Sequence, residues 1–374
     1  MYEYSDDNIF YNANLFNGSG GVSPANYIET RTSPLILKPS DYWLTVARFS
    51  IPGSFLPIFI AQAAGFGVTG NVNILEYSVT LTYNGNTSGQ TYLVWDPNYN
   101  TVTKPIIPVF TAQQPVQDPY DNYYYVFSYI FFLDLINSAL SRAFTALGTY
   151  PAGVTQPPYM TYNKNNGIFT MWAQTGYSQS SNPMSTSNLQ IWFNTSLYSL
   201  FPSFEILFNG FDITTGQNCN IVIKNNLDNT ATLATGGTGY FMDQEFSTLY
   251  SWNSLQSVSF RSNNIPVNTQ AITGFSSNGQ TQPLQGGSAN TVIAYLEDFE
   301  PLNGVGNGEF REILQYIPSV YRWSDLIGNN PLSTLDISVL WTDRMGYSHV
   351  LYIPPGGVLT IKLLFRKKDT IACG

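Results

Sequence analysis

Alternation constrains this chain more than any other feature. From Glu76 to Tyr83 it reads EYSVTLTY, so Tyr77, Val79, Leu81 and Tyr83 face one way and Glu76, Ser78, Thr80 and Thr82 the other. Successive side chains of an extended strand point to opposite faces, which makes this a half-buried strand. The same period returns late in the chain. Leu335, Ile337, Val339 and Trp341 share one face of LDISVLW, and Leu359, Ile361, Leu363 and Phe365 share one face of VLTIKLLFR. Further strands are predicted over 42–51, 91–95, 167–172, 189–193, 220–224, 257–261 and 291–296. Pro354-Pro355-Gly356-Gly357 puts Pro second and Gly third in a type II turn, which predicts a hairpin over 349–365. One segment breaks the pattern. Leu133, Ile136, Leu140, Phe144 and Leu147 recur at spacings of three and four, with Asp134, Ser138, Ser141, Arg142 and Thr145 opposite them. That spacing predicts an amphipathic helix over 125–147, started by Asp121 or Asn122. A shorter helical turn is predicted over 196–201. The fold class is all-β, with one helix laid on the strands.

Composition then removes whole classes of function. Charged residues make up only 10% of the chain, against roughly 25% in ordinary soluble domains. Aromatics reach 15%, which excludes a disordered chain. The net charge of −9 argues against gripping nucleic acid as the main task. Two cysteines and one histidine leave no disulfide framework, Cys-based cluster or His-rich metal site. The opening MYEYSDDNIF is acidic where a secretory leader is basic, so no leader is expected. The apolar run 51–68 approaches membrane-span length, but Pro52, Gly53, Pro57, Gly65 and Gly67 break a helix there. A buried loop or subunit contact is expected instead. Residues 301–374 carry seven basic and six acidic side chains, so the C-terminal part is locally basic. Between Ala143 and Phe260 the only basic residues are Lys164 and Lys224. So sparse a charge defends poorly against association, as suits a protein that sits between neighbours.

Candidate chemistry is thin. His349, beside Ser348, is the only possible histidine base, no GxSxG elbow accompanies it, and it reads as a structural residue. Glu297, Asp298 and Glu300 in YLEDFEP read as a solvated strand end or a subunit contact. Asp118, Asp121 and Asn122 lack EF-hand spacing. The glycine runs near 236–239 and 304–308 are not followed by Gly-Lys-Ser/Thr, so they are turns. No catalytic residue, metal ligand or cofactor is expected. Two patches remain. Lys362, Arg366, Lys367 and Lys368 form a basic cluster able to meet phosphates or an anionic membrane. Tyr120, Tyr123, Tyr124 and Tyr125 are candidate subunit-contact aromatics.

The C-terminal third carries a family resemblance. LQSVSFRSNNIPV (255–267), AYLEDFEP (294–301) and the long run 313–368 resemble the minor capsid, or penton, proteins of virophages and polinton-like viruses. The most specific parts are Pro331-Leu332 followed by Asp336-Ile337, the Trp341-x-Asp343-x-x-Gly346 step, and PPGG followed by IKLLFRKK. The segments 33–51 and 191–201 and the helix around LINSALSRAF fit as well. The resemblance implies a jelly-roll base interrupted by an outward insertion. It implies five copies at each icosahedral vertex of a virion, beside a double-jelly-roll major capsid protein. On that pattern residues 1–30 are an N-terminal arm reaching a neighbour, 31–150 plus 250–374 the base, and 151–249 the insertion. If the base faces inward, the basic cluster contacts genome or an internal membrane. Two alternatives stand beside this. One is a carbohydrate-binding host-attachment module using Trp172 and Trp192, and the other a β-sandwich glycosidase using the 297–300 carboxylates.

Overall fold

Two hydrophobic cores organise the chain in a computed structural model. It describes residues 8–19, 23–64, 73–96, 123–177, 185–224, 229–234, 236–253, 255–267, 294–299, 313–343 and 348–368. The first core lies between two antiparallel sheets. One sheet runs in the order Asn8–Phe16, Val358–Lys367, Tyr42–Pro52, Ile313–Tyr316, with Ser324–Asp325 also on Tyr42–Pro52. The other runs Ala294–Phe299, Leu255–Ser262, Thr334–Asp343, Ser348–Val350, with Asn26–Thr30 also on Thr334–Asp343. The predicted faces point inward. Leu335, Ile337, Val339 and Trp341 meet Leu359, Ile361, Leu363 and Phe365 in one cluster. Phe49 and Phe260 bridge the sheets edge to face at 4.9 Å. This is a jelly-roll sandwich, and the all-β expectation holds.

The second core forms around the helix, which spans Tyr129–Leu147. It lies against strands of two further sheets. One contains Ile74–Tyr83, Gln190–Phe193 and Cys219–Ile221, the other Tyr159–Asn163, Ile168–Gln174 and Thr238–Asp243. Leu133, Ile136, Leu140, Phe144 and Leu147 are all buried, as their spacing required. Ser128 caps the helix by accepting from the Phe131 amide, and Gly148 ends it in the left-handed region at φ 67°.

Several expectations need correction. The helix starts four residues later than predicted and not at Asp121 or Asn122, because Tyr123–Val126 pairs as a strand with Phe59–Gln62. The turn at Pro354 to Gly357 forms, with Gly356 at φ 74° and the Gly357 amide donating to Pro354 O. It does not close a hairpin, however. Ser348–Val350 belongs to the second sheet and Val358–Lys367 to the first, so the turn crosses between sheets. The N-terminal segment is not a free arm over its described part. Asn8–Phe16 pairs along its length with Val358–Lys367, and Asn26–Thr30 pairs with Thr334–Ser338. Tyr11, Ala13 and Leu15 are buried while Asn12 and Asn14 face out, an alternation its asparagines disguised. Ser78 and Thr80 are fully buried, so the Ile74–Tyr83 strand is covered on both faces, not one. Finally, Ala61, Leu75, Val79, Leu81, Trp95, Tyr124 and the buried face of the helix pack in the second core, where the sequence division had placed them with the base.

Candidate functional site: an exposed sheet face and a buried junction

The four basic residues at the chain's end do not form one cluster. Val358–Lys367 is an inner strand of the first sheet, flanked by Asn8–Phe16 and Tyr42–Pro52. Lys362 and Arg366 alternate with the core residues and point to the sheet's outer face. The Lys362 ammonium lies 4.7 Å from the centre of the Phe10 ring, and the Arg366 guanidinium 6.0 Å from that of Trp323. Lys367 is exposed at the strand's end. Lys368 is spent locally. Its ammonium pairs with Asp325 at 3.1 Å and donates to Ser40 O at 2.9 Å, and its amide donates to Asp41 O. It fastens the strand end to the Tyr42–Pro52 side of the sheet. The sequence reading missed Arg48, which the register sets opposite Lys362. Only the fold brings these two together, and the one available signal was that Arg48 is a charge inside an otherwise apolar strand.

The tyrosines divide too. Tyr124 is fully buried and stacks on Trp95 at 4.8 Å and 11°, so its ring is unavailable to a neighbouring subunit. Tyr123 pairs in the strand with Gln62, and Tyr120 lies outside the described residues. Tyr125 has a different partner, since its hydroxyl lies 3.0 Å from Nδ1 of His349. The Nε2 of His349 meets Oδ2 of Asp343 at 2.8 Å, and the ring stacks on Trp341 at 4.4 Å. Asp343 is fully buried and His349 nearly so. Both ring nitrogens are therefore engaged, and the orienting acid that the sequence did not reveal is Asp343, six residues away. Asp343 and His349 stand on the second sheet, Tyr125 on the ribbon leading into the helix. The trio pins the second core's ribbon to the sandwich.

The remaining candidates resolve simply. Glu297 and Asp298 occupy successive register positions opposite Phe260 and Ser259, and Glu300 lies outside the described residues. So do Asp118, Asp121 and Asn122; among the described residues no group of three His, Cys, Asp or Glu side chains is placed to hold a metal. Trp192 is a core residue whose Nε1 donates to Thr82 Oγ1, so it offers no binding platform. Trp172 is half-buried in a cross-strand row between Tyr159 and Phe241. Cys219 is buried, and that burial pushes its thiol up to about 11. An unforeseen contact closes the sandwich's edge. The hydroxyls of Tyr11 and Tyr27, on different sheets, both donate to one oxygen of Glu29. Those two donors hold the Glu29 carboxyl below its usual range, and burial raises Tyr11.

What these side chains build is contact surface around a jelly-roll sandwich, which defines a structural protein whose work is done by its faces. The comparisons with known proteins specify the class. A model of the family described as Sputnik minor capsid protein V18/19 matches residues 9–367. Structural protein V19 of Sputnik virophage is 31% identical over 216 residues, 56% of this chain and 93% of that protein. Uncharacterised protein V18 of the same virophage is 37% identical over 139 residues, 37% of this chain and 80% of its own length. A chain of the 3.5 Å cryo-EM structure of the Sputnik virophage superposes with a TM-score of 0.78 at 30% identity, covering 98% of this chain and 99% of that one. The crystal structure of the mavirus penton protein shares the fold, with a TM-score of 0.63 at 17% identity over 96% and 99% of the two chains. The chain belongs to the Sputnik minor capsid protein V18/19 family. It is a structural capsid protein of the virion, and the resemblance seen in its C-terminal third extends along nearly the whole sequence.

Proposed function

We propose that this capsid protein is the vertex subunit, closing as a ring of five copies at each five-fold position beside the major capsid protein. The observation that carries this is the fold shared with a penton protein along nearly the full length of both chains. The two cores support a division of labour. The described residues of 8–58 and 255–367 form the jelly-roll base, and the described residues between them form the insertion, turned outward. The base offers the major capsid protein its rim, and the exposed basic face is set for a charged neighbour. A ring needs two different flanks on each subunit that fit one another, and a sandwich presents two different sheet faces. Light scattering on the purified chain, followed by negative-stain imaging, tests the reading. The expected species is a five-fold ring of 41.6 kDa subunits. Closed rings of another order, or a chain that stays monomeric alone and with major capsid protein present, would overturn it.

A further inference from the structure

The outer face of the first sheet carries an electrostatic conflict that the isolated subunit does not resolve. Arg48 and Lys362 stand directly opposite each other between Tyr42–Pro52 and Val358–Lys367. Like charges so placed destabilise an antiparallel pair. Arg366 follows on the same face, roughly 13 Å further along the strand. Among the described residues none of Arg48, Lys362 and Arg366 forms an ion pair, and the one carboxylate in their rows, Asp325 beyond Trp43 in the row of Arg366, is paired with Lys368. Besides each other, their cross-strand neighbours are Asn12 opposite Lys362 and Asn8 and Trp43 opposite Arg366, and the next row holds Asn14, Thr360 and Ser50, all without charge. The far end of the same face is apolar. Phe16 is 66% exposed and directly opposite Val358, which is 42% exposed, and Ile313 on the flanking strand is 64% exposed.

We infer that this face is the seat of a second copy of the chain, received through an acidic and apolar flank. The choice of occupant follows from the two halves. A nucleic-acid backbone would satisfy Arg48, Lys362 and Arg366 but would leave Phe16, Val358 and Ile313 in water. A protein flank with carboxylates beside an apolar patch satisfies both, and Arg and aromatic side chains are the usual anchors of such contacts. A second copy brings the matching sign, because a chain of net charge −9 that concentrates positive charge here carries its excess of acid elsewhere. Head-to-tail contact of unlike patches is also what lets a ring close. The inference rests on the ring reading and adds the flank by which one subunit holds the next.

The test uses the full chain in sedimentation experiments at about 0.05 M and about 0.5 M salt. Wild-type assemblies should weaken at the higher salt. Arg48→Glu with Lys362→Glu should raise the dissociation constant at least about a hundredfold, since it sets acid against acid. Phe16→Ser should weaken assembly equally at both salts. A second readout needs no assembly. Lys362→Gln relieves the like-charge pair and should raise the melting temperature of the dissociated subunit by about 1–3 °C at low salt and by less at high salt. Rings that survive the double reversal overturn this face and leave the ring reading standing. A chain that never assembles overturns both. Tight binding of duplex DNA that the same double reversal abolishes, with assembly intact, would reassign the face to the genome.

Discussion

The two cores are made of different material and held in different ways. The sandwich core is mostly aliphatic, spread over long strands drawn from both ends of the chain, and among the described residues only Phe49, Phe260, Trp341 and Phe365 contribute fully or nearly fully buried large rings from its central strands. The second core converges on one residue. Trp252 is fully buried, and its ring lies 5.3–5.4 Å from those of Phe59, Tyr129, Phe132, Phe169 and Phe201. Its Nε1 donates to Leu200 O at 3.1 Å. The first core spreads its contacts over many aliphatic side chains, while the second gathers five rings around one hub. A distributed core tolerates single losses better than a centred one, because no vacancy removes many contacts at once.

That contrast is open to direct attack. Trp252→Ala should cost about 3–5 kcal/mol, the largest effect expected of any single change, since it opens a cavity and leaves the Leu200 carbonyl with only the Thr248 hydroxyl as donor. Calorimetry should show the loss in the transition of the second core, with the sandwich's transition little changed. If both transitions move together, the two cores are one cooperative unit and the contrast fails. His349→Ala tests the link between them. It removes the hydrogen bond between the His349 ring and the buried Asp343 carboxyl and should cost about 1–3 kcal/mol. The expected signature is altered coupling, read as hydrogen exchange rising in Tyr123–Val126 and in Ser348–Val350 together. Exchange rising in one segment alone would show the trio to be local. Glu29→Gln should have the smallest effect and only the sandwich should feel it. The folded pKa of Glu29 is depressed, so its contribution is present above the ordinary carboxylate value of 4.5 and disappears as pH falls through the lower folded value. Wild type and variant should therefore converge in stability below pH 4.5 and differ above it. A constant difference across that range would refute the assignment.

The faces of individual elements were legible, and their partners were not. Periodicity found the buried side of Tyr129–Leu147, of Thr334–Asp343 and of Val358–Lys367, because that information is local to each segment. Pairing is non-local. Nothing in IKLLFRKK says that it lies between residues 8–16 and 42–52, or that Lys362 will face Arg48. The hairpin error has this origin, because a correct turn was joined to the wrong partner. Asn8–Phe16 escaped notice because asparagine is rare in strands, yet here it fills the outward positions. Tyr124 looked like an interface residue by composition, and only Trp95, far off in sequence, reveals it as core. The boundary near residue 60 was invisible since the strands on either side share one chemistry. The Asp343–His349–Tyr125 trio needed the fold as well, although Asp343 was already part of the motif that suggested the family.

The place of Val358–Lys367 has a consequence in time. An inner strand of the first sheet is made after every other strand described, so the sheet has a gap in its middle until synthesis reaches residue 367. Among the described residues the second core draws on no buried side chain beyond Trp252, so all of these residues are made before the last strand. The face set to receive a neighbour does not exist on a growing chain, because Lys362 and Arg366 have yet to be laid beside Arg48. A nascent subunit is thus protected from premature association by the order in which its residues are made, and the last strand acts as the release.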